Sequence, residues 1–248
     1  MTDAVTRERH IGSPPGRPSP NFWRSFPPEI LTSDEVAAII DGCSAQAPTG
    51  IRNRALLTLL YRSGMRISEA VGCPARPERR FRGRDGKQKI QPPQDAIPPL
   101  KLSDVNLAAH TIRVLHGKGD KATTRGFHPS ATDALARWID TRKAIGRRGG
   151  PFFCTLDGSP LQAQYVRLLL KRLAVQAGID KRVHPHGLRH TFAVELRLAG
   201  VDIAVISKLL GHSSIAVTVR YLDHLTNDQA VAVLEAVDLP PLNPPAGR

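Results

Sequence analysis

The stretch "HPHGLRHTFAVELRLAGVDIAVISKLLGHSSIAVTVRY" (residues 184–221) decides the fold and poses the functional question. Its apolar residues recur at helical spacing over 187–199, where Gly200 ends the pattern. They recur again over 203–210, with Asp202 as the N-cap and Gly211 as the stop. A further short helix is predicted from a cap at Ser213 or Ser214. The opening heptad "HPHGLRH" (184–190) holds three histidines and one arginine. His186 and Arg189 stand one helical turn apart, so both reach the same patch of space. His212 follows Gly211 at a helix–helix junction, and Tyr221 comes nine residues later.

Three chemistries compete for the heptad. His186 and His190 have the i, i+4 spacing of a zinc-protease helix. Gly187 stands where the glutamate of H-E-x-x-H belongs, however, and the Arg189 guanidinium would repel a dication. A hydrolase triad lacks its elbow, since no G-x-S-x-G occurs and no cysteine has a nucleophile's context. An anion grip fits better. Arg offers a planar fork that matches two phosphate oxygens, and His adds a hydrogen bond or a proton.

The composition points the same way. The 248 residues carry 35 Lys and Arg against 22 Asp and Glu, a formal net charge of +13. The cations are spread from the first residues to the 220s, as expected for a domain built around the phosphates of a nucleic acid. A hydrophobic fraction of 41% supports a real core, and the length suits one domain with a short appendage. No run approaches a membrane span and the N-terminus lacks a signal-peptide core, so a soluble cytoplasmic, nucleoid-associated protein is expected. Cys43, Cys73 and Cys154 are widely spaced and read as small apolar residues in a reducing compartment.

Along the chain, residues 1–28 are too rich in Pro, Ser and Gly to pack and read as a disordered basic arm. "LTSDEVAAII" carries a capping box, Thr32 with Glu35. "RNRALLTLLYRSGMR" turns Leu56, Leu57 and Leu60 to one face and stops at Gly64. Residues 74–100, Pro-rich and basic without apolar periodicity, read as a long mobile loop. "TIRVL" (111–115) alternates as a half-buried strand, "HGKGDK" is a turn, and "TTRGFHP" returns beside it. Helices follow from a Ser130 cap to about Ile145, and from Gln162 to Ala177 with Val166, Leu169, Leu170 and Leu173 inward. An amphipathic helix over 227–237 and a disordered tail, 239–248, close the chain. The fold expected is mainly α with a small antiparallel β-sheet.

The 184–221 stretch resembles the catalytic core of the tyrosine recombinases, the phage integrase family. That family's signature is H-x-x-R, then L-G-H, then a tyrosine nine residues on. An upstream Arg segment and a Lys in a β-turn complete it, and this sequence supplies "SGMRISE" with Arg66 and "GKGDK" with Lys118. The resemblance covers residues 29–238, interrupted by the 74–100 insertion. It implies a site-specific DNA recombinase of tyrosine-recombinase catalytic-domain fold, acting on double-stranded DNA without metal, cofactor or ATP.

Carried onto this sequence, the resemblance makes Tyr221 the nucleophile that forms a 3′-phosphotyrosine. Arg66 and Arg189 hold the non-bridging oxygens, and Lys118 protonates the leaving 5′-oxygen. His186 assists proton transfer at Tyr221, and His212 hydrogen-bonds the phosphate. Glu69 reads either as an orienting residue or as a plain buried ion-pair partner. Lys121 is the rival of Lys118 in the same turn. His116 and Arg125 are expected to touch backbone phosphate or water, while His184 and His190 stay open between cap and DNA contact. Tyr61 and Tyr165 sit amid leucines and read as core. The resemblance also implies a homo-oligomer, dimer to tetramer on DNA, with the 227–237 helix exchanged between subunits.

Two features depart from the family. Its members usually carry a helical core-binding domain ahead of the catalytic one, whereas here only the 1–28 arm precedes it. The chain is therefore either a minimal catalytic-domain recombinase or a fragment. The second departure is the basic insertion itself, which reads either as a segment tracking a phosphate backbone or as a harmless or damaging insertion, with DNA contact the preferred reading. A type IB topoisomerase, with a similar Arg/Lys/His/Tyr set, and a binding-only relative are the rival functions.

Overall fold

In the computed structural model of the chain, which describes residues 29–82, 86–115 and 122–212, order begins with α1 (Ser33–Asp41). Thr32 Oγ1 accepts the Glu35 N–H at 3.1 Å, and Glu35 Oε2 accepts the Thr32 N–H at 2.7 Å. This reciprocal pair satisfies donors the first helical turn cannot bond. The next helix, α2 (Pro48–Ser63), is buried nearly all round. Ile51, Ala55, Leu56, Leu57, Leu59 and Leu60 all lie in the core, so the single apolar face expected of it is a full circumference. Gly64 ends α2 at φ +59°, with Leu210 and Phe192 packed where a side chain would stand. The left-handed turn and the crowding together require glycine there. Two residues on, α3 (Ile67–Val71) starts directly after Arg66.

The 74–100 segment differs from the loop expected. It contains an antiparallel ribbon of β1 (Arg79–Arg82) and β2 (Gln88–Gln91), paired from Arg79–Gln91 to Arg82–Gln88. Apolar alternation is absent from these strands because they have no core face, so they lack the period by which a strand is read. Residues 75–82 and 86–94 form a compact unit separate from the helical unit of residues 29–74, 95–115 and 122–212.

In the helical unit, β3 (Val105–Asn106), β4 (Thr111–Leu115) and β5 (Ala122–Gly126) make an antiparallel sheet in that order. Ile112 and Val114 of β4 point into the core, as the alternation predicts. The helix α4 (Thr132–Ala144) is preceded by a 3-10 turn whose cap is His128, not Ser130: His128 Nδ1 accepts the Ser130 N–H at 3.3 Å. Trp138 of α4 is fully buried and donates from Nε1 to the Phe152 carbonyl at 2.8 Å. In α5 (Ala163–Gln176), Val166, Leu169, Leu170 and Leu173 face the core as expected.

The remaining helices are α6 (Pro185–Leu198) and α7 (Ile203–Leu210). Pro185 at the first position and His184 as cap start α6 two residues before the periodicity suggests. Asp202 Oδ1 caps α7 by accepting the Ala204 N–H at 2.7 Å. Tyr61 and Arg62 of α2 both bond Glu195 of α6, so the C-terminal half of α2 is tied to α6. Leu31 N–H donates to Thr191 Oγ1 of α6 at 3.1 Å. No described helix is long and apolar enough to cross a membrane.

Candidate active site

Three helix ends meet where α2 stops, α3 starts and α7 stops. Arg189, projecting from the first turns of α6 and only 1% exposed, joins two of them. Its Nη1 donates to the Gly64 carbonyl at 2.6 Å and its Nη2 to the Leu210 carbonyl at 2.8 Å. Both carbonyls lie at helix C-termini, where partial negative charge gathers, so a buried guanidinium is stabilised there.

The start of α3 is held by a buried acid. Glu69, 2% exposed, accepts the Arg66 N–H at 2.7 Å and Arg66 Nη1 at 3.1 Å. It also accepts Arg125 Nη2 at 2.8 Å, while Arg125 Nη1 donates to the Leu209 carbonyl at 3.2 Å. One carboxylate thus links α3, β5 and, through Arg125, the end of α7. The Arg66 side chain remains 44% exposed, so its fixed guanidinium presents a face to solvent.

His212 is placed by the turn that ends α7. Gly211 takes φ +66°, the Gly211 N–H donates to the Lys208 carbonyl, and the His212 N–H donates to the Ser207 carbonyl at 3.0 Å. This paired bonding is a Schellman cap. A Cβ at position 211 would overlap the Arg125 guanidinium, so glycine here permits both the turn and the close approach. At the start of α6, His184 Nδ1 accepts the Gly187 N–H at 2.7 Å, which answers the choice left open for His184: it is a cap. The His190 ring packs edge-on to the His186 ring, centroids 4.6 Å apart.

The electrostatics tie these groups together. Burial, then the charges of Arg189, His184 and Arg66, lower the His186 pKa to about 4. Burial, then Arg189, Arg66, His186 and Arg125, lower that of His212 to about 4. His186 is nonetheless exposed at the surface, so the cationic contribution is the part a bound anion would reverse. Both imidazoles are therefore neutral at pH 7, in the shared field of Arg66 and Arg189. A cluster of cations with two neutral imidazoles can bind a tetrahedral dianion or monoanion and can accept a proton beside it.

Of the six residues expected from the sequence, Arg66, His186, Arg189 and His212 come together. Lys118 and Tyr221 lie outside the described residues. So do His116, Lys121, the helix after Ser213, the 227–237 helix, the 1–28 arm and the 239–248 tail. Lys118 lies in the chain between β4 and β5, whose ends pair at Leu115–Ala122, and Tyr221 follows His212 in the chain.

Arg125 needs correction. Rather than touching phosphate or water, it is buried in the Glu69 pair. A signal exists: Arg125 pairs with Ile112, and directly opposed residues in an antiparallel pair share a face. Of the other tyrosines, Tyr61 is buried and donates to Glu195, and burial together with that carboxylate raises its pKa. Tyr165 is not core as expected but exposed on the surface side of α5, with its hydroxyl accepting Arg52 Nη2 and Asn53 Nδ2 at 2.9 Å each. Both phenols have structural partners. Among the described residues no group of three His, Cys, Asp or Glu side chains could hold a metal ion.

Comparison with known proteins accords with this arrangement. The phage integrase family model matches residues 29–74 and 97–228, leaving out most of the insertion. The chain is 32% identical over 209 residues to the tyrosine recombinase XerD of Lacticaseibacillus casei, covering 83% of this chain and 61% of that one. It is 33% identical over 199 residues to XerC of Rhodospirillum centenum, covering 79% and 50%. It therefore spans half to three-fifths of the length of these curated relatives. The crystal structure of XerA recombinase superposes with a TM-score of 0.66 at 27% identity, over 87% of this chain and 67% of that one. XerH bound to palindromic difH substrate has the same fold, with a TM-score of 0.60 at 24% identity over 85% and 54%. The chain belongs to the phage integrase family, the tyrosine recombinases, and carries the fold of their catalytic domain.

Proposed function

We propose that this chain is a site-specific DNA recombinase that breaks and rejoins strands through a 3′-phosphotyrosine on Tyr221. The observation that carries the reading is the convergence of Arg66, Arg189, His186 and His212 from separate segments of the chain. Tyr221 Oη attacks the scissile phosphorus, the bond to the 5′-oxygen breaks, and the phosphorane charge falls to Arg66, Arg189 and His212. Each charge-assisted bond contributes about 1.5–3 kcal/mol, and more where water is scarce. A phenol of pKa about 10 enters protonated at neutral pH, so its proton needs an acceptor. His186 is assigned to take it, once the bound phosphate offsets the Arg189 and Arg66 charges that lower its pKa. Lys118 donates the proton that turns the leaving 5′-oxygen into a hydroxyl. The phosphodiester bond energy is retained in the phosphotyrosine, so a 5′-hydroxyl from a second duplex reverses the attack without a nucleotide cofactor.

Glu69 acts as a positioning residue in this scheme: it holds Arg66 at the α3 start through two bonds. Strand exchange between two sites requires more than one protomer on double-stranded DNA, so a dimer to tetramer is expected, with the 227–237 helix as the exchanged segment. The protein would work in the cytoplasm, on the nucleoid. The test uses nicked suicide duplexes taken from the genomic DNA flanking the gene. The unmodified chain is expected to yield a covalent adduct and recombinant joints between two sites, both abolished by Tyr221→Phe. Nicking and relaxation without recombinant joints would mark a topoisomerase instead, and DNA binding without any adduct a binding-only protein.

A further inference from the structure

We infer that the β1–β2 ribbon is a duplex-DNA-binding element of this chain, one that lies in the major groove. The inference rests on the recombinase reading for its partner, but its residues are not those of the site. The family model leaves residues 75–96 unmatched, so the ribbon lies outside the segments by which the family is recognised.

The ribbon is strongly charged. Residues 75–94 hold seven Lys or Arg and two Asp or Glu, so +7 and −2 give +5 of the chain's net +13. The register distributes the cations over both faces. Arg79 and Lys89 share one face with Phe81 and Gln91, while Arg80 and Arg82 share the other with Gln88 and Ile90. The two apolar residues therefore lie on opposite faces, each beside cations of its own face. Ile90 is 58% exposed and Phe81 only partly covered. Neither face can bury against an apolar protein surface without stripping water from arginines and lysines. A polyanion on both sides satisfies both faces at once. The major groove of duplex DNA, lined on each side by phosphates, admits a two-stranded ribbon.

The ribbon is also preorganised. Cys73 and Ile97 exchange backbone bonds of 2.8 Å in both directions, and Arg76 and Gln94 exchange bonds of 2.8 and 2.9 Å farther along the limbs. Pro77, Pro92 and Pro93 restrict the backbone between the Arg76–Gln94 pair and the strands. An isolated two-stranded ribbon without an apolar face is marginal in water, and its like charges repel. Neutralisation by phosphates removes that repulsion. From Arg76 to Arg82 the limb reaches about 20 Å, enough to follow a groove for over half a helical turn. Arg80 Nε meets Glu78 at 3.1 Å in an exposed pair that phosphate can displace.

The test measures binding of a random-sequence 40-base-pair duplex (a size chosen only as a probe of about four helical turns) by fluorescence anisotropy across a salt series. The variant Arg79→Gln/Arg80→Gln/Arg82→Gln/Lys87→Gln/Lys89→Gln is compared with the unmodified chain. Each phosphate no longer neutralised lowers the log–log salt slope by about 0.9, so a slope smaller by about 3 to 4 is expected, with affinity at low salt reduced on the order of 10²-fold. As a second measurement, a benzophenone amino acid replacing Gln88 is expected to crosslink to the duplex on irradiation. Equal slopes, or no crosslink from a chain that still binds, would overturn the ribbon inference while leaving the recombinase reading intact. Failure of the unmodified chain to bind duplex at all would instead overturn the reading beneath it.

Discussion

In the helical unit Arg189 and Arg125 are buried and held by protein; in the ribbon Arg79, Arg80 and Arg82 are exposed. Arg189 spans the C-termini of α2 and α7, and Arg125 lies between Glu69 and the Leu209 carbonyl. Arg79, Arg80 and Arg82 have exposed side chains on two faces of a thin ribbon. The guanidinium is the same and its use is not. A cation fixed before substrate arrives costs no reorganisation as charge develops, so the buried set suits catalysis. A cation that arrives solvated releases counterions and water on contact, so the exposed set suits affinity that salt weakens. On the proposed reading, burial separates the arginines that serve chemistry from those that serve adhesion within one basic chain.

Several substitutions break or sharpen that contrast, and the largest effect is expected at Arg189. Arg189→Lys keeps a charge but cannot bridge the Gly64 and Leu210 carbonyls. Adduct formation is expected to fall on the order of 10²–10⁴-fold, read as single-turnover rates on a suicide duplex. Retained rates would mean that Arg189 only packs. Next comes Glu69→Gln, which leaves Arg125 buried without its carboxylate. Removing one partner of such a pair costs roughly 3–5 kcal/mol, seen as a lower denaturant midpoint. Cleavage by the folded fraction should also fall as Arg66 loses its anchor. A midpoint that drops with cleavage intact would leave Glu69 a plain ion-pair partner.

Smaller effects follow. Gly211→Ala forces a side chain onto φ +66° and against Arg125, costing about 1–2 kcal/mol and displacing His212. The pH response has a definite sign. His186 and His212 titrate near 4 in the folded chain and near 6.5 when unfolded. Their stabilisation is complete above about pH 6.5 and is lost as pH falls towards 4, so the melting temperature should decline across that window. A bound phosphate opposes the cations that depress these groups, so DNA binding should take up protons and tighten as pH falls from 7 to 5. A pH-independent affinity would separate the histidines from the phosphate. The smallest effect is expected for Arg80→Gln/Arg82→Gln, which should move stability by no more than about 0.5 kcal/mol while weakening DNA binding. A large loss of stability would place those two residues in the structural class of Arg125.

How much is legible in the sequence follows the same division. The α7 cap at Asp202, the Gly64 and Gly211 stops and the inward face of α5 are readable because local chemistry and tertiary packing agree there. The His186–Arg189 turn and the L-G-H segment are readable because their spacing is local. Arg125 misleads because its partner, Glu69, lies 56 residues away, and only strand register reveals that it faces inward. The ribbon escapes a sequence reading because exposed strands have no hydrophobic period, and its prolines and charges resemble those of a loop. The cap on the 3-10 turn before α4 goes to His128 in place of Ser130, since imidazole is an unusual but adequate acceptor.

The most direct measurement is to trap the covalent adduct on a suicide duplex, digest it, and locate the nucleotide by mass spectrometry. The chain has three tyrosines, which makes the readout unambiguous. The account predicts a 3′-phosphonucleotide on the peptide containing Tyr221, dependent on Arg66 and Arg189. Attachment at Tyr61 or Tyr165, or an adduct that forms equally well without those arginines, would contradict it.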